Sequence, residues 1–219
     1  VNYLINVLDG NAPTFGTSCP TGPINLYTED NTCNAIANWS APVAIGGSCT
    51  SFEYIPVTTN VVPGTLLPIG DTLVTYTTHG AGLNTTCSFI VNVFDTIRPS
   101  IYVCPSNITV PVSTGCEGVA TWIEPSVFDN CSGLSIASDF QSGHSFPLGT
   151  TAVNYTITDP SSNSNTCSFT VTVVDGIAPQ IVNCPSDIVI NSTANLCGGV
   201  ATWVAPTATD NCSAATLVS

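Results

Sequence analysis

Apolar and polar residues alternate along short runs of this chain. In "VNYTIT" the residues Val153, Tyr155 and Ile157 fall on one side, and Asn154, Thr156 and Thr158 on the other. "SFTVTVV" sets Phe169, Val171 and Val173 against Ser and Thr, and "NITVPV" alternates Ile108, Val110 and Val112. A period of two predicts strands with one face buried. Stretches rich in helix-forming residues are absent, and turn sequences such as "DPSSNSN" (159–165) separate the runs.

The runs recur. Asp9, Asp95 and Asp175 each close one of "YLINVLD", "FIVNVFD" and "FTVTVVD". A short linker ending in Pro follows each ("GNAP", "TIRP", "GIAP"), then a Cys-Pro pair at Cys19, Cys104 or Cys184. Trp39, Trp122 and Trp203 are spaced 83 and 81 residues apart. This predicts a divergent repeat over 10–95, a second over 96–175 and the N-terminal half of a further one over 176–219. Residues 1–9 read as the last strand of a preceding repeat, so the chain reads as a window on a longer array. Six or seven short strands in about 80 residues predict an all-β, two-sheet sandwich with the Trp in its core.

Composition narrows the setting. Only 7% of the 219 residues are charged, and the single basic residue, Arg98, faces fourteen acids for a net charge of −13. Binding to nucleic acid or to an anionic membrane surface needs clustered Lys and Arg, so both are excluded. No apolar run approaches the ~20 residues of a membrane-spanning helix, so direct insertion is not expected. Eleven Cys and no Met predict an oxidising, extracellular or cell-surface compartment.

The order CP-x-x-I-x-V, C-x-G-V-A-T-W-x-x-P-x-x-x-D-N-C-S, F-P-L-G-T-T-x-V-x-Y, then N-T-C-S-F-x-V-x-V-x-D, as spelled by 104–175, resembles the hyalin repeat (HYR) domain. The likeness continues through 176–219. In 10–95 it is degenerate, keeping the Cys-Pro, the Trp, "LPIGDTLVTY" and "TCSFIVNV". The resemblance implies tandem immunoglobulin-like β-sandwiches of an extracellular filament or surface adhesin. It names no ligand. Neighbouring repeats of the same chain are the implied partners, with lateral copies in a filament as a further option.

In a sandwich of this kind the first and last strands run the same way. Cys104 and Cys167 begin those strands and so share one end. Some members of the family keep only this pair. The expectation is Cys104–Cys167 and Cys19–Cys87. Cys116 and Cys131 flank the segment "GVATWIEP"; a straight strand of ~12 residues spans roughly 40 Å, while a disulfide needs Cα atoms within about 7 Å. The two cannot then bond each other. Pairing between successive repeats is expected instead, Cys33–Cys131 and Cys116–Cys212, with Cys49 and Cys197 reaching further repeats. Rival schemes pair Cys104 with Cys131 and Cys116 with Cys167, or leave thiols free. Zinc fails on spacing: no Cys-x-x-Cys occurs, and His79 and His144 do not recur at one repeat position.

Carboxylates gather where the repeats meet. Asp95, Asp129, Asn130, Asp159 and Asn165 converge on one end of the second repeat, and Asp175, Asp210 and Asn211 recur in the third. Calcium takes such oxygen ligands, and turn capping by Asp and Asn is the competing reading. The divergent repeat offers Asp9 but carries "AIGGSC" and His79 where the second repeat has "VFDNC" and Asp159, so calcium is not expected there. Glycan candidates are Asn38, Asn84, Asn107, Asn154 and Asn191, with Thr72 and Thr96 for O-linked sugar; Asn130 and Asn211 sit beside half-cystines and fit poorly. No catalytic constellation is present: Ser145 and Thr150 near His144 lack a nucleophile turn, and Glu29–Asp30 read as a solvated loop. The expected role is structural, in a fibre or adhesin, with a glycan- or protein-binding module or a receptor spacer as alternatives.

Overall fold

The computed structural model of the protein describes residues 12–46, 57–80, 83–113, 115–195, 197–212 and 215–218. The chain divides into two compact units. One comprises Val1–Ser100, Val127–Ile136 and Ile157–Asn165; the other comprises Ile101–Ser126, Ala137–Thr156 and Thr166–Ser219. The loops of the second repeat that carry Asp129–Cys131 and Asp159 thus belong with the first repeat.

The first unit contains β1 (Ile24–Tyr27), β2 (Asn34–Ile36), β3 (Val57–Thr59), β4 (Leu66–Pro68), β5 (Gly70–Gly80) and β6 (Leu83–Phe94). One sheet runs β1-β6-β5-β3 and the other pairs β2 with β4. β5 and β6 form an antiparallel ladder from Gly70↔Val93 to Gly80↔Leu83. β1 joins β6 in parallel, Ile24 opposite Val91; a first strand parallel to the last marks the immunoglobulin-like sandwich. Alternation decides what lies inside. Val74, Tyr76, Phe89, Val91 and Val93 are buried from one sheet, and Ala35, Ala37 and Leu67 face them from the other side of the core.

The second repeat supplies β7 (Ser100–Val103), β8 (Ile108–Pro111), β9 (Glu117–Val119), β10 (Ser126–Phe128), β11 (Ser135–Ser138), β12 (Ser145–Pro147), β13 (Gly149–Thr158) and β14 (Ser164–Val174). Its sheets repeat the plan: β11-β13-β14-β8, with β8 parallel to β14, and β9 against β12. Val153, Tyr155, Ile157, Phe169, Val171 and Val173 are buried, as the period of two requires. Gly70 and Gly149 lead into the long strands of the two repeats at φ of 108° and 109°, a backbone that a side chain would strain. The last segment holds β15 (Gln180–Val182) and β16 (Thr207–Thr209), paired antiparallel. Among the described residues no helix is long and apolar enough to cross a membrane.

One expectation needs correction. "GVATWIEP" is not one strand: β9 stops at Val119, and 120–125 lie outside any strand. Its partner runs out. Ala120 donates to His144 O (3.2 Å) and accepts from Gly143 N (2.8 Å). Beyond that the Ser142 hydroxyl stands in for a strand, accepting from Trp122 N (2.8 Å) and donating to Trp122 O (2.9 Å). Trp39 and Trp122 line the core without being fully enclosed by it. Both are half-buried, packed edge-on against the core rings of Phe89 and Phe169 with centroids 5.6 and 5.2 Å away. The indole N–H explains the position: Trp39 Nε1 donates to Tyr76 OH (2.9 Å) and Trp122 Nε1 to Tyr155 OH (2.6 Å), so each ring sits where its polar edge finds a partner.

Candidate inter-repeat joint

Asp95 follows the last residue of β6 and is 94% buried, being 6% exposed. Its Oδ1 accepts from Ile97 N (3.1 Å), from the Thr28 hydroxyl (3.0 Å) and from Asn130 Nδ2 (3.4 Å). Thr28 follows β1, so the parallel pairing of β1 with β6 delivers it to this point; Thr28 N donates to Phe94 O. Asp129 and Asn130 follow β10. Asp129 Oδ2 accepts from Cys131 N (3.0 Å), a turn closed by its own side chain. Asn130 Nδ2 also donates to Thr28 Oγ1 (3.1 Å) and Thr32 O (3.2 Å).

Next to this network Cys33 is bonded to Cys131, with Cα atoms 4.7 Å apart. Cys19–Cys87 and Cys104–Cys167 are the other disulfides among the described residues, with Cα separations of 5.7 and 6.0 Å. Burial pushes the Asp129 carboxyl above its usual 3.8, and the negative charges of Asp95 and Asp159 add to the rise; the bond from Cys131 N opposes it. Asp159 is committed to its own turn, where Oδ1 and Oδ2 accept from Asn163 N and Nδ2, both at 2.8 Å. Asn163 Nδ2 reaches on to Asp95 O (3.1 Å), and Asn165 Nδ2 to Pro99 O (2.9 Å).

The pattern recurs one repeat later, in the second compact unit. Asp175 Oδ1 accepts from Ile177 N, Asp210 Oδ1 from Cys212 N, and Asn211 Nδ2 donates to Gly115 O (3.3 Å), the counterpart of the Asn130–Thr32 bond. Here Cys116 and Cys212 are thiols. Each thiol is turned to a backbone carbonyl: Cys116 Sγ to Asn211 O (3.0 Å) and Cys212 Sγ to Gly115 O (3.3 Å). Desolvation, the Cys116 thiol and the Asp175 charge push the Cys212 thiol up to about 12. Cys184 and Cys197 are exposed thiols. Cys49 and Asp9 lie outside the described residues.

Thr28, Thr32 and Asn163 are site residues that no motif announces. The first two lie in the loop "TEDNTC", which has no counterpart in the other repeats. Of the glycan candidates, Asn38, Asn84, Asn107, Asn154, Asn191 and Thr96 are exposed and Thr72 is half-buried. Asn154 Nδ2, the atom an N-glycan would take, is held by Asp139 Oδ2 (2.8 Å). His144 packs its ring against Phe140 and Phe146, with centroids 4.9 and 5.1 Å away, and His79 Nδ1 meets Asn84 Oδ1 at 2.7 Å.

Residues 8–93 and 94–173 each match the HYR domain. The chain belongs to the HYR domain family. Its Cys33 falls in the first HYR match and Cys131 in the second, so the disulfide joins two HYR repeats. The chain is similar to Hyalin of Strongylocentrotus purpuratus, 35% identical over 213 residues (88% of this chain, 18% of that protein). It is also similar to Hyalin of Lytechinus variegatus, 33% identical over 225 residues (99% and 42%). A third relative is the Sushi, von Willebrand factor type A, EGF and pentraxin domain-containing protein 1 of Mus musculus, 36% identical over 160 residues (71% and 4%). The chain therefore spans less than half the length of these relatives. Among solved structures, Mouse Cadherin-23 EC22-24 aligns over 77% of this chain and 66% of that one, at 15% identity and a TM-score of 0.36. HYR membership and the disulfides place this chain outside the cell or on its surface.

Proposed function

We propose that these HYR repeats form a load-bearing stretch of an extracellular filament or surface adhesin, in which each repeat is covalently stapled to the next. The observation that carries this reading is the Cys33–Cys131 bond across two successive repeats. The bond leaves the Pro-ended linker 96–99 little freedom to hinge, because a second covalent path closes the joint. The Cys116 and Cys212 thiols complete the scheme when they lose two electrons and two protons to an oxidant of the extracellular compartment and form the same staple one repeat on. The buried carboxylates beside the staple give the joint a second lock, through a divalent cation. Lateral association of such strings would build a fibre.

The experiment is electron microscopy of the native material before and after a reductant. The reading predicts that reduction shortens the persistence length, because the joints between repeats are freed to hinge. A fibre equally stiff after full reduction, verified by thiol counting, contradicts it.

A further inference from the structure

Three buried oxygen atoms at the joint have no hydrogen-bond partner: Asp95 Oδ2, Asp129 Oδ1 and Asn130 Oδ1. Each belongs to a side chain whose other polar atom is engaged. Asp95 Oδ1 takes Ile97 N and the Thr28 hydroxyl, Asp129 Oδ2 takes Cys131 N, and Asn130 Nδ2 is shared among Thr28, Thr32 and Asp95 Oδ1. The side chains are therefore held fixed while one oxygen of each is left over. Ligand atoms of Asp95 and Asp129 lie within 4.8 Å of each other, close enough for one ion to touch both. Leaving a buried acceptor unmade costs on the order of 1–3 kcal/mol, and more for a charged one. Two carboxylates this close also repel, and among the described residues their hydrogen-bond donors are Thr28, Ile97, Asn130 and Cys131, none of them basic.

We infer that Asp95, Asp129 and Asn130 form a binding site for a divalent cation of the calcium class at the joint of the two repeats. The choice of ion follows from the donors. All three are hard oxygens, two of them anionic, which suits calcium rather than a thiolate- or imidazole-seeking metal. Cys131 Sγ lies within the same 4.8 Å but is bonded to Cys33 and so offers no thiolate. Three protein oxygens are fewer than the six to eight that calcium takes, so water supplies the remainder. The affinity belongs to the weak range of extracellular modules, about 10⁻⁴–10⁻³ M. The inference deepens the reading of the joint as a load-bearing lock, yet the ion can bind whether or not the fibre reading holds.

The test is calcium titration of the oxidised chain by calorimetry, with thermal melts in EDTA and in excess calcium. The chain is expected to bind calcium and to melt about 5–10 °C higher at 100 times the dissociation constant. Asp129→Asn keeps the acceptor for Cys131 N but removes a ligand charge; it should lose the calcium shift while melting no lower than the parent in EDTA. Asp95→Asn serves as the second variant and should lose the shift likewise. A parent that binds no calcium up to 10⁻² M, or an Asp129→Asn chain that keeps the full shift, overturns the site. Failure here leaves Cys33–Cys131 untouched, and failure of the staple leaves this titration standing, so the two are separable.

Discussion

At the scale of the residue, the joint is a place where carboxylates are buried before anything neutralises them. Burial and the charges of Asp95 and Asp159 raise the Asp129 carboxyl above 3.8, so without a cation the folded state holds its proton more tightly than the unfolded state. The sign follows from linkage: this term is most favourable at or below the unfolded value and is lost as pH rises through the raised one. In EDTA, Asp129→Asn should therefore melt higher than the parent at pH 7, and the difference should shrink towards pH 4. Melts of the two proteins across that range check it; a variant less stable than its parent at pH 7 contradicts it. Asp95, Asp129 and Asp159 were legible in the sequence because the repeat register aligned them with turn positions. Thr28 and Asn163 were not. Their roles depend on which atoms the β1–β6 pairing and the 159–163 turn bring within reach, and a Thr or Asn in a loop carries no such mark.

Elements explain how far the alternation could be trusted. The long β5/β6 and β13/β14 strands follow it residue by residue, because both faces of each sheet have fixed fates, core or solvent. The segment after β9 departs from it, since the paired strand is replaced by the Ser142 hydroxyl. That substitution lies twenty residues away in the chain and leaves no trace in "ATWIEP" itself. Close approach of the two sheets is fixed at Gly118. A Cβ there would meet Val110 Cγ2 at 2.9 Å, Pro111 O at 3.0 Å and Val173 Cγ1 at 3.0 Å. Gly118→Ala should cost about 1–3 kcal/mol through overpacking, read as a lower denaturant midpoint with an unchanged slope. A midpoint equal to the parent's would show that β9 can lift away from β8 and β14 freely.

On the scale of the whole molecule, covalent bonds connect what the sequence presents as separate repeats. Repeat spacing alone marked the units, and four cysteines per repeat left three pairings open within each. Only the strand directions favoured a bond from one repeat to the next. A staple of this kind contributes about 2–4 kcal/mol by restricting the unfolded chain. The central claim, that Cys33 and Cys131 bind two HYR repeats together, has a direct test in an accident of composition. Arg98 is the sole Lys or Arg of the chain, and it lies in the Pro-ended linker 96–99 that opens the second repeat. After thiols are blocked and the unreduced protein is denatured, an arginine-specific protease that accepts a following proline cuts the chain once. The cut divides 1–98 from 99–219, and of the three disulfides among the described residues only Cys33–Cys131 spans it. The structure predicts one species at full mass without reductant and two fragments after reduction. Two fragments already separate before reduction would contradict it.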